Sequence, residues 1–206
     1  MAPLPRLYTI ADASFGDCVR IAEALFAGGA RVVQVRNKKA AAREFLDQVE
    51  RIRAFAPAGA QVIVNDRADI ALMTDAAGVH LGQTDLPPSM ARRVLGSGRI
   101  VGFSTHNLEQ ALEADRLPVD YIAVGPIFAT ATKENPDPVV GVEKLAGICR
   151  AVKKPVVAIG GITLQNAQRV INAGAHSVAV VRDLLARSDI SEGVRTFERG
   201  LKPATT

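Results

Sequence analysis

Tryptophan is absent from this 206-residue chain, and aromatic residues of every kind supply only 4% of it. The core must therefore be built from Val, Ile, Leu and Ala. Cysteine is nearly absent too. Cys18 and Cys149 lie far apart, form no CxxC pair and have no histidine at metal-ligand spacing, which argues against a disulfide framework or a zinc site and makes reduced, cytoplasmic thiols the expectation. No run of about 18 apolar residues occurs. The opening M-A-P-L-P-R lacks a charged leader followed by an apolar segment, so neither secretion nor a membrane span is expected. Charge of one sign is not concentrated either. The net +4 comes from scattered Lys and Arg without interleaved aromatics, which favours an anionic small molecule over nucleic acid as partner.

What is present is an ordinary globular balance, 48% hydrophobic and 22% charged, at a length that fits one domain spanning residues 1–206. Short β-branched runs recur along it: Leu7 to Ala11, Val32 to Arg36, Val62 to Asn65, Gly78 to Gly82, Ile100 to Ser104, Tyr121 to Val124, Val156 to Gly160 and Ser177 to Val181. Most lack strict apolar/polar alternation, as parallel strands covered on both faces should. Between them lie helical patterns, among them Asp17 to Ala27, Asn107 to Ala114 and Asn166 to Ala173. Eight strands alternating with helices in this length predict an α/β fold, a (β/α)8 TIM barrel, with an open doubly wound sheet as the alternative.

Gly28-Gly29 and Gly174 each precede a strand and read as helix-to-strand turns that need a left-handed backbone. The longest connection, Gly125 to Pro155, carries K-E-N-P-D-P-V-V-G before its helix. It reads either as a mobile active-site loop around residues 129–141 or as a passive surface loop.

In a barrel the loops after the strands share one face, and polar residues gather at those ends here. Gln34, Arg36 and Lys38 are two apart, so on a strand they share a face, where a bound polyanion would supply the partners they need, unless the segment is a solvated strand edge. Asp66 and Asp85 end neighbouring strands. Hard oxygens without His or Cys nearby suit Mg²⁺, although a general acid/base pair or a salt bridge from Asp66 to Arg67 or Arg36 fits the same residues. Thr130, Thr132 and Lys133 follow the sixth strand in G-P-I-F-A-T-A-T-K and can donate to an anion, unless that segment is simply a solvated turn. Gly160-Gly161 and Val181-Arg182 end the last two strands, where barrels commonly hold phosphate through backbone N–H groups, with a plain turn as the alternative for the glycine pair. His80 and His106 are the remaining candidates for proton transfer, with a structural role as the alternative for each.

Taken in order, Q-V-R-N-K, N-D-R, G-V-H-L-G-Q-T-D-L-P, G-F-S-T-H, Y-I-A-V-G-P-I-F-A-T-A-T-K and A-I-G-G-I followed by A-G-A resemble the thiamine-phosphate synthase family over almost the whole chain. The resemblance implies a transferase of thiamine biosynthesis. It would join hydroxymethylpyrimidine diphosphate to a thiazole phosphate, carboxylated or not, release pyrophosphate and require Mg²⁺. Carried over, Asp66 and Asp85 would hold Mg²⁺. Gln34, Val35, Arg36, Asn37, Lys38, Asn65, Ser104 and Lys133 would bind the pyrimidine diphosphate, with Lys133, Arg36 and Ser104 acting in catalysis. Thr130, Ala131, Thr132, Gly161, Val181 and Arg182 would hold the thiazole phosphate. The family pattern often has Ser where this chain has Arg182, so a hydroxyl contact there does not carry over.

Departure of pyrophosphate ahead of attack by the thiazole nitrogen needs charge neutralisation rather than a covalent nucleophile, which agrees with the lack of any triad. Two rivals share the expected fold. A thiazole tautomerase would make His106 catalytic and would not need the diphosphate residues, and a non-catalytic phosphate-binding barrel would need no chemistry at all. No nucleic acid or membrane partner is expected; a homo-oligomer is compatible with the sequence.

Overall fold

The computed structural model describes residues 4–130 and 137–201. Eight parallel strands close into a barrel in sequence order: β1 (Leu7–Asp12), β2 (Val32–Arg36), β3 (Gln61–Asn65), β4 (Gly78–Leu81), β5 (Ile100–Thr105), β6 (Tyr121–Val124), β7 (Val156–Ile159) and β8 (Ser177–Val180). Closure runs through β1 and β8, where Leu7, Tyr8 and Thr9 pair with Val178, Ala179 and Val180. The open-sheet alternative is thereby excluded. Every run expected from the sequence is a strand, with ends displaced by a residue or so.

Alternation along each strand sorts two apolar layers. Leu7, Val33, Val35, Val62, Val64, Val101, Ile122 and Val178 face the surrounding helices. Tyr8, Ile10, Val32, Ile63, Ile100, Tyr121, Ala123, Val157 and Ala179 fill the barrel interior. Both faces of each strand are buried, which is why the sequence shows continuous β-branched runs rather than alternation.

The helices are α1 (Cys18–Ala27), α2 (Ala42–Phe55), α3 (Ala68–Met73), α4 (Pro88–Leu95), α5 (Leu108–Arg116), α6 (Val142–Ala151), α7 (Leu164–Asn172), α8 (Arg182–Leu185) and α9 (Ile190–Gly200). Asp17 caps α1 by accepting from Val19 N–H, and Asn107 caps α5 by accepting from Gln110 N–H. Helix α7 begins at Leu164, two residues before the expected Asn166, because Asn166 Oδ1 reaches back to accept from Thr163 N–H at 2.8 Å. No helix among the described residues is long and apolar enough to cross a membrane.

The glycine expectation needs one correction. Gly29 and Gly174 have φ of 97° and 104°, as a left-handed turn requires, but Gly28 is right-handed with φ of −77°. Gly28 is small for a different reason: a Cβ there would come within 2.6 Å of Ser191 O and Val194 Cβ, where α9 crosses α1.

Candidate active site

A cavity of about 950 Å³ opens at the carboxyl ends of the strands, lined by residues from all eight strands or the loops that follow them. A smaller hollow of about 320 Å³ lies at the opposite end, beside Arg6, Pro155 and His176, which precede strands. There Lys154 Nζ is tied to the carbonyls of Asp115 and Leu117. The polar groups capable of chemistry converge on the larger cavity.

Strand β2 presents Gln34 and Arg36 to that cavity, and Lys38 follows from the loop. Arg36 is fixed by Asp12 at the end of β1, with Nη1 2.6 Å from Oδ2. The intervening residues turn away. Val35 is fully buried against the helices, and Asn37 donates to Gln48 Oε1 on α2 at 3.1 Å. Neither lines the cavity, so the expected contact through Val35 and Asn37 finds no side-chain support, for the same period-two reason that brings Gln34 and Arg36 together.

Asn65 ends β3, and Asp66 follows with φ of 65°, a left-handed conformation uncommon for a non-glycine residue. Two backbone bonds hold it there: Asp66 N–H donates to His80 O at 2.8 Å, and Arg67 N–H closes a three-residue turn onto Asn65 O at 2.9 Å. This turn aims the Asp66 carboxylate into the cavity, 3.1 Å from Lys38 Nζ. Asp66 is therefore paired with Lys38, and Arg67 pairs with Asp69 instead.

Asp85, after β4, accepts from Gly82 N–H at 2.7 Å. Burial pushes its carboxyl above the ordinary range, and the neighbouring Asp66 carboxyl pushes it the same way. Among the described residues no cluster of three or more His, Cys, Asp or Glu could hold a metal. Asp66 and Asp85, at the ends of β3 and β4, are the adjacent carboxyl pair that faces the cavity. The adjacent Asp66 and Asp85 carboxyls fit a hard divalent ion, which would offset the unfavourable surroundings of Asp85 and take its remaining ligands from phosphate oxygens and water.

The far wall is formed by the turns after β6, β7 and β8. Thr130, Gly161, Val181 and Arg182 all line it, and the Arg182 guanidinium lies 5.4 Å from the centroid of the Phe15 ring. Gly160 and Gly161 have φ of 100° and 63°. A Cβ on Gly160 would lie 2.6 Å from Pro126 Cα, and one on Gly161 2.6 Å from Ala129 O, so the β7 turn packs directly on the loop after β6. Ala131, Thr132 and Lys133 lie outside the described residues.

His106 Nδ1 is 2.7 Å from Gly125 O and 3.5 Å from Asp137 Oδ2, contacts that seat the ring between β5 and the loop after β6. His80 spans two hydroxyls, with Nδ1 2.8 Å from Tyr121 Oη and Nε2 2.8 Å from Ser104 Oγ. Burial lowers its pKa from 6.5 to about 4. Tyr8 and Tyr121 reach the cavity floor but escaped the sequence reading, because a tyrosine inside an apolar strand looks like core. The available signal was the alternation that turns Tyr8, Ile10 and Asp12 to one face of β1.

The chain matches a family model described as thiamine monophosphate synthase over residues 7–184. It is similar to the thiamine-phosphate synthase of Koribacter versatilis, at 49% identity over 88% of this chain and 90% of that one. The thiamine-phosphate synthase of Chloroflexus aurantiacus is 45% identical over 92% and 89%. Among solved structures, the thiamine phosphate pyrophosphorylase of Pyrococcus furiosus superposes with a TM-score of 0.87 at 34% identity, covering 95% of this chain and 94% of that one. With a closed barrel, a polar cavity at its carboxyl face and relatives of this similarity along nearly its full length, the chain belongs to the thiamine monophosphate synthase family.

Proposed function

We propose that the protein condenses hydroxymethylpyrimidine diphosphate with a thiazole phosphate to give thiamine phosphate and pyrophosphate, with Mg²⁺ as its cofactor. The observation that carries this reading is the division of one cavity into two anion-directed ends. Arg36, Lys38 and the paired carboxylates stand on the β2–β4 side, and the Gly160-Gly161 turn with Arg182 stands on the β7–β8 side. A substrate carrying a diphosphate would occupy the first end and a monophosphate ester the second, so their reactive carbons and nitrogen would meet between.

Asp66 and Asp85 would hold Mg²⁺, which when bound neutralises charge on the diphosphate as it leaves. Arg36 and Lys38 donate to the same anion, and Arg36 is already oriented by Asp12. Asn65 on β3 lines the diphosphate end, Ser104 on β5 lines the cavity beside it, and both would supply hydrogen bonds to the pyrimidine diphosphate. Charge separation rather than nucleophilic attack by the protein is the difficulty of this reaction, and preorganised cations answer it. Lys133, which lies outside the described residues, is the further cation proposed to meet the diphosphate.

Incubating the purified protein with both substrates and Mg²⁺ tests the reading. Thiamine phosphate and pyrophosphate in equal amounts are expected. Binding without turnover, or isomerisation of the thiazole alone, would replace it with one of the rivals.

A further inference from the structure

Five polar side chains from five strands join into one hydrogen-bonded chain across the barrel. Gln34 Nε2 donates to Tyr8 Oη at 2.9 Å. The Tyr8 and Tyr121 hydroxyls are 2.8 Å apart, Tyr121 Oη is 2.8 Å from His80 Nδ1, and His80 Nε2 is 2.8 Å from Ser104 Oγ. Both tyrosines are 1% exposed, so water does not interrupt the middle of the chain. The Tyr121 and His80 rings are stacked, centroids 5.6 Å apart and 17° from parallel. Gly102 on β5 leaves out the Cβ that would otherwise collide with the Tyr121 ring.

Each hydroxyl has one proton, and a neutral imidazole has one N–H. A hydroxyl oxygen can also accept twice, so the direction of the chain is set by the need to give every buried proton an acceptor. The end group decides. With the Gln34 amide nitrogen turned to Tyr8, only one arrangement gives both buried phenol protons an acceptor: the Tyr8 hydroxyl donates to Tyr121 and the Tyr121 hydroxyl to His80 Nδ1, since the reverse leaves the Tyr8 proton with none. His80 then carries its proton on Nε2 and donates to Ser104 Oγ. The Ser104 proton is released from the chain, and Ser104 lines the cavity.

We infer that Tyr8, Tyr121 and His80 form a polarity relay, positioning residues that fix Ser104 as a hydrogen-bond donor to an acceptor atom of the substrate. The nature of that acceptor rests on the synthase reading above; the polarity of the relay does not. Reversal would turn the Ser104 proton inward onto His80 and offer lone pairs to a diphosphate, which repels them. The relay thus gives a function to two buried phenols that packing alone would fill with Phe.

The tautomer of His80 reports the direction. The full chain labelled with ¹⁵N-histidine, without ligand at pH 8, contains three histidines, and the signal missing from His80→Gln identifies the one of interest. Long-range ¹H–¹⁵N correlations are expected to show the Nε2–H form in the wild type. Nδ1–H, or an even mixture, would overturn the relay. A kinetic cycle supplies the second readout. Tyr121→Phe should lower kcat about fivefold or more when Ser104 is present and less than about twofold in a Ser104→Ala background, because its effect passes through Ser104. Equal losses in both backgrounds would overturn the positioning role. Should Tyr121→Phe fail to fold, Tyr8→Phe takes its place in the same cycle. Absence of synthase turnover in the wild type would defeat the functional reading, while the tautomer measurement would still decide the direction of the relay.

Discussion

Arg36 Nη1 lies 2.6 Å from Asp12 Oδ2, so the arginine that faces the candidate diphosphate end is already matched to a carboxylate, as Lys38 is matched to Asp66 at 3.1 Å. With Asp85 beside them, two cations share this end of the cavity with three carboxyl groups. Such a cluster is poorly set to attract a polyanion by itself. A divalent ion changes the balance, and this local charge count is the physical reason the proposed function includes one.

Asp66→Asn and Asp85→Asn should each lower turnover by at least about tenfold, equivalent to about 1.4 kcal/mol of transition-state stabilisation. Raising Mg²⁺ should restore part of the loss. Rates at limiting and saturating Mg²⁺ check this, and wild-type rates for both variants at limiting Mg²⁺ would remove the carboxylates from the metal site.

His80 should make the fold sensitive to acid. Its pKa is lowered from 6.5 to about 4 by burial, so between these values the unfolded chain binds a proton that the folded chain does not. Stability attributable to His80 is intact above pH 6.5 and falls by about 3 kcal/mol as pH drops to 4. Urea unfolding at pH 7.5 and pH 4 should show a smaller pH-dependent loss in His80→Gln than in the wild type. Identical losses would contradict the assigned shift.

Gly160→Ala should cost at least about 2 kcal/mol of stability, since it combines an unfavourable left-handed backbone with a steric clash. The residue has φ of 100°, and its new Cβ would lie 2.6 Å from Pro126 Cα. Denaturant midpoints check the stability. The same variant should weaken thiazole phosphate binding, measured by titration, because the turn and the loop after β6 form one wall.

Lys133→Ala should reduce kcat by roughly a hundredfold, about 2.7 kcal/mol, with a smaller change in pyrimidine diphosphate affinity. Charge on the leaving group grows as the bond breaks, so a lysine paired with it would act mainly in the transition state. Single-turnover rates beside direct binding titrations separate the two. Lost affinity with an unchanged chemical rate would reduce Lys133 to an anchor.

The barrel was legible because closure buries both faces of every strand, which leaves its mark as repeated β-branched runs. The same geometry made Gln34 and Arg36 readable as neighbours on one face. Other features depend on contacts distant in sequence, which local pattern cannot carry. Gly28 looked like a turn residue, whereas its constraint comes from Ser191 and Val194 on α9. Asp66 was a carboxylate of uncertain partner until the loop after β2 brought Lys38 to it. Tyr8 and Tyr121, 113 residues apart, become a polar pair only when β1 and β6 face each other across the closed barrel.

The most direct test of the central claim is the rate of thiamine phosphate formation by the purified wild-type protein as Mg²⁺ is titrated from excess chelator to saturation. The account predicts negligible product in chelator, a saturable rise with Mg²⁺ and pyrophosphate released in equal amount. Full activity in excess chelator would contradict the role given to Asp66 and Asp85, and no product at any Mg²⁺ concentration would contradict the synthase itself.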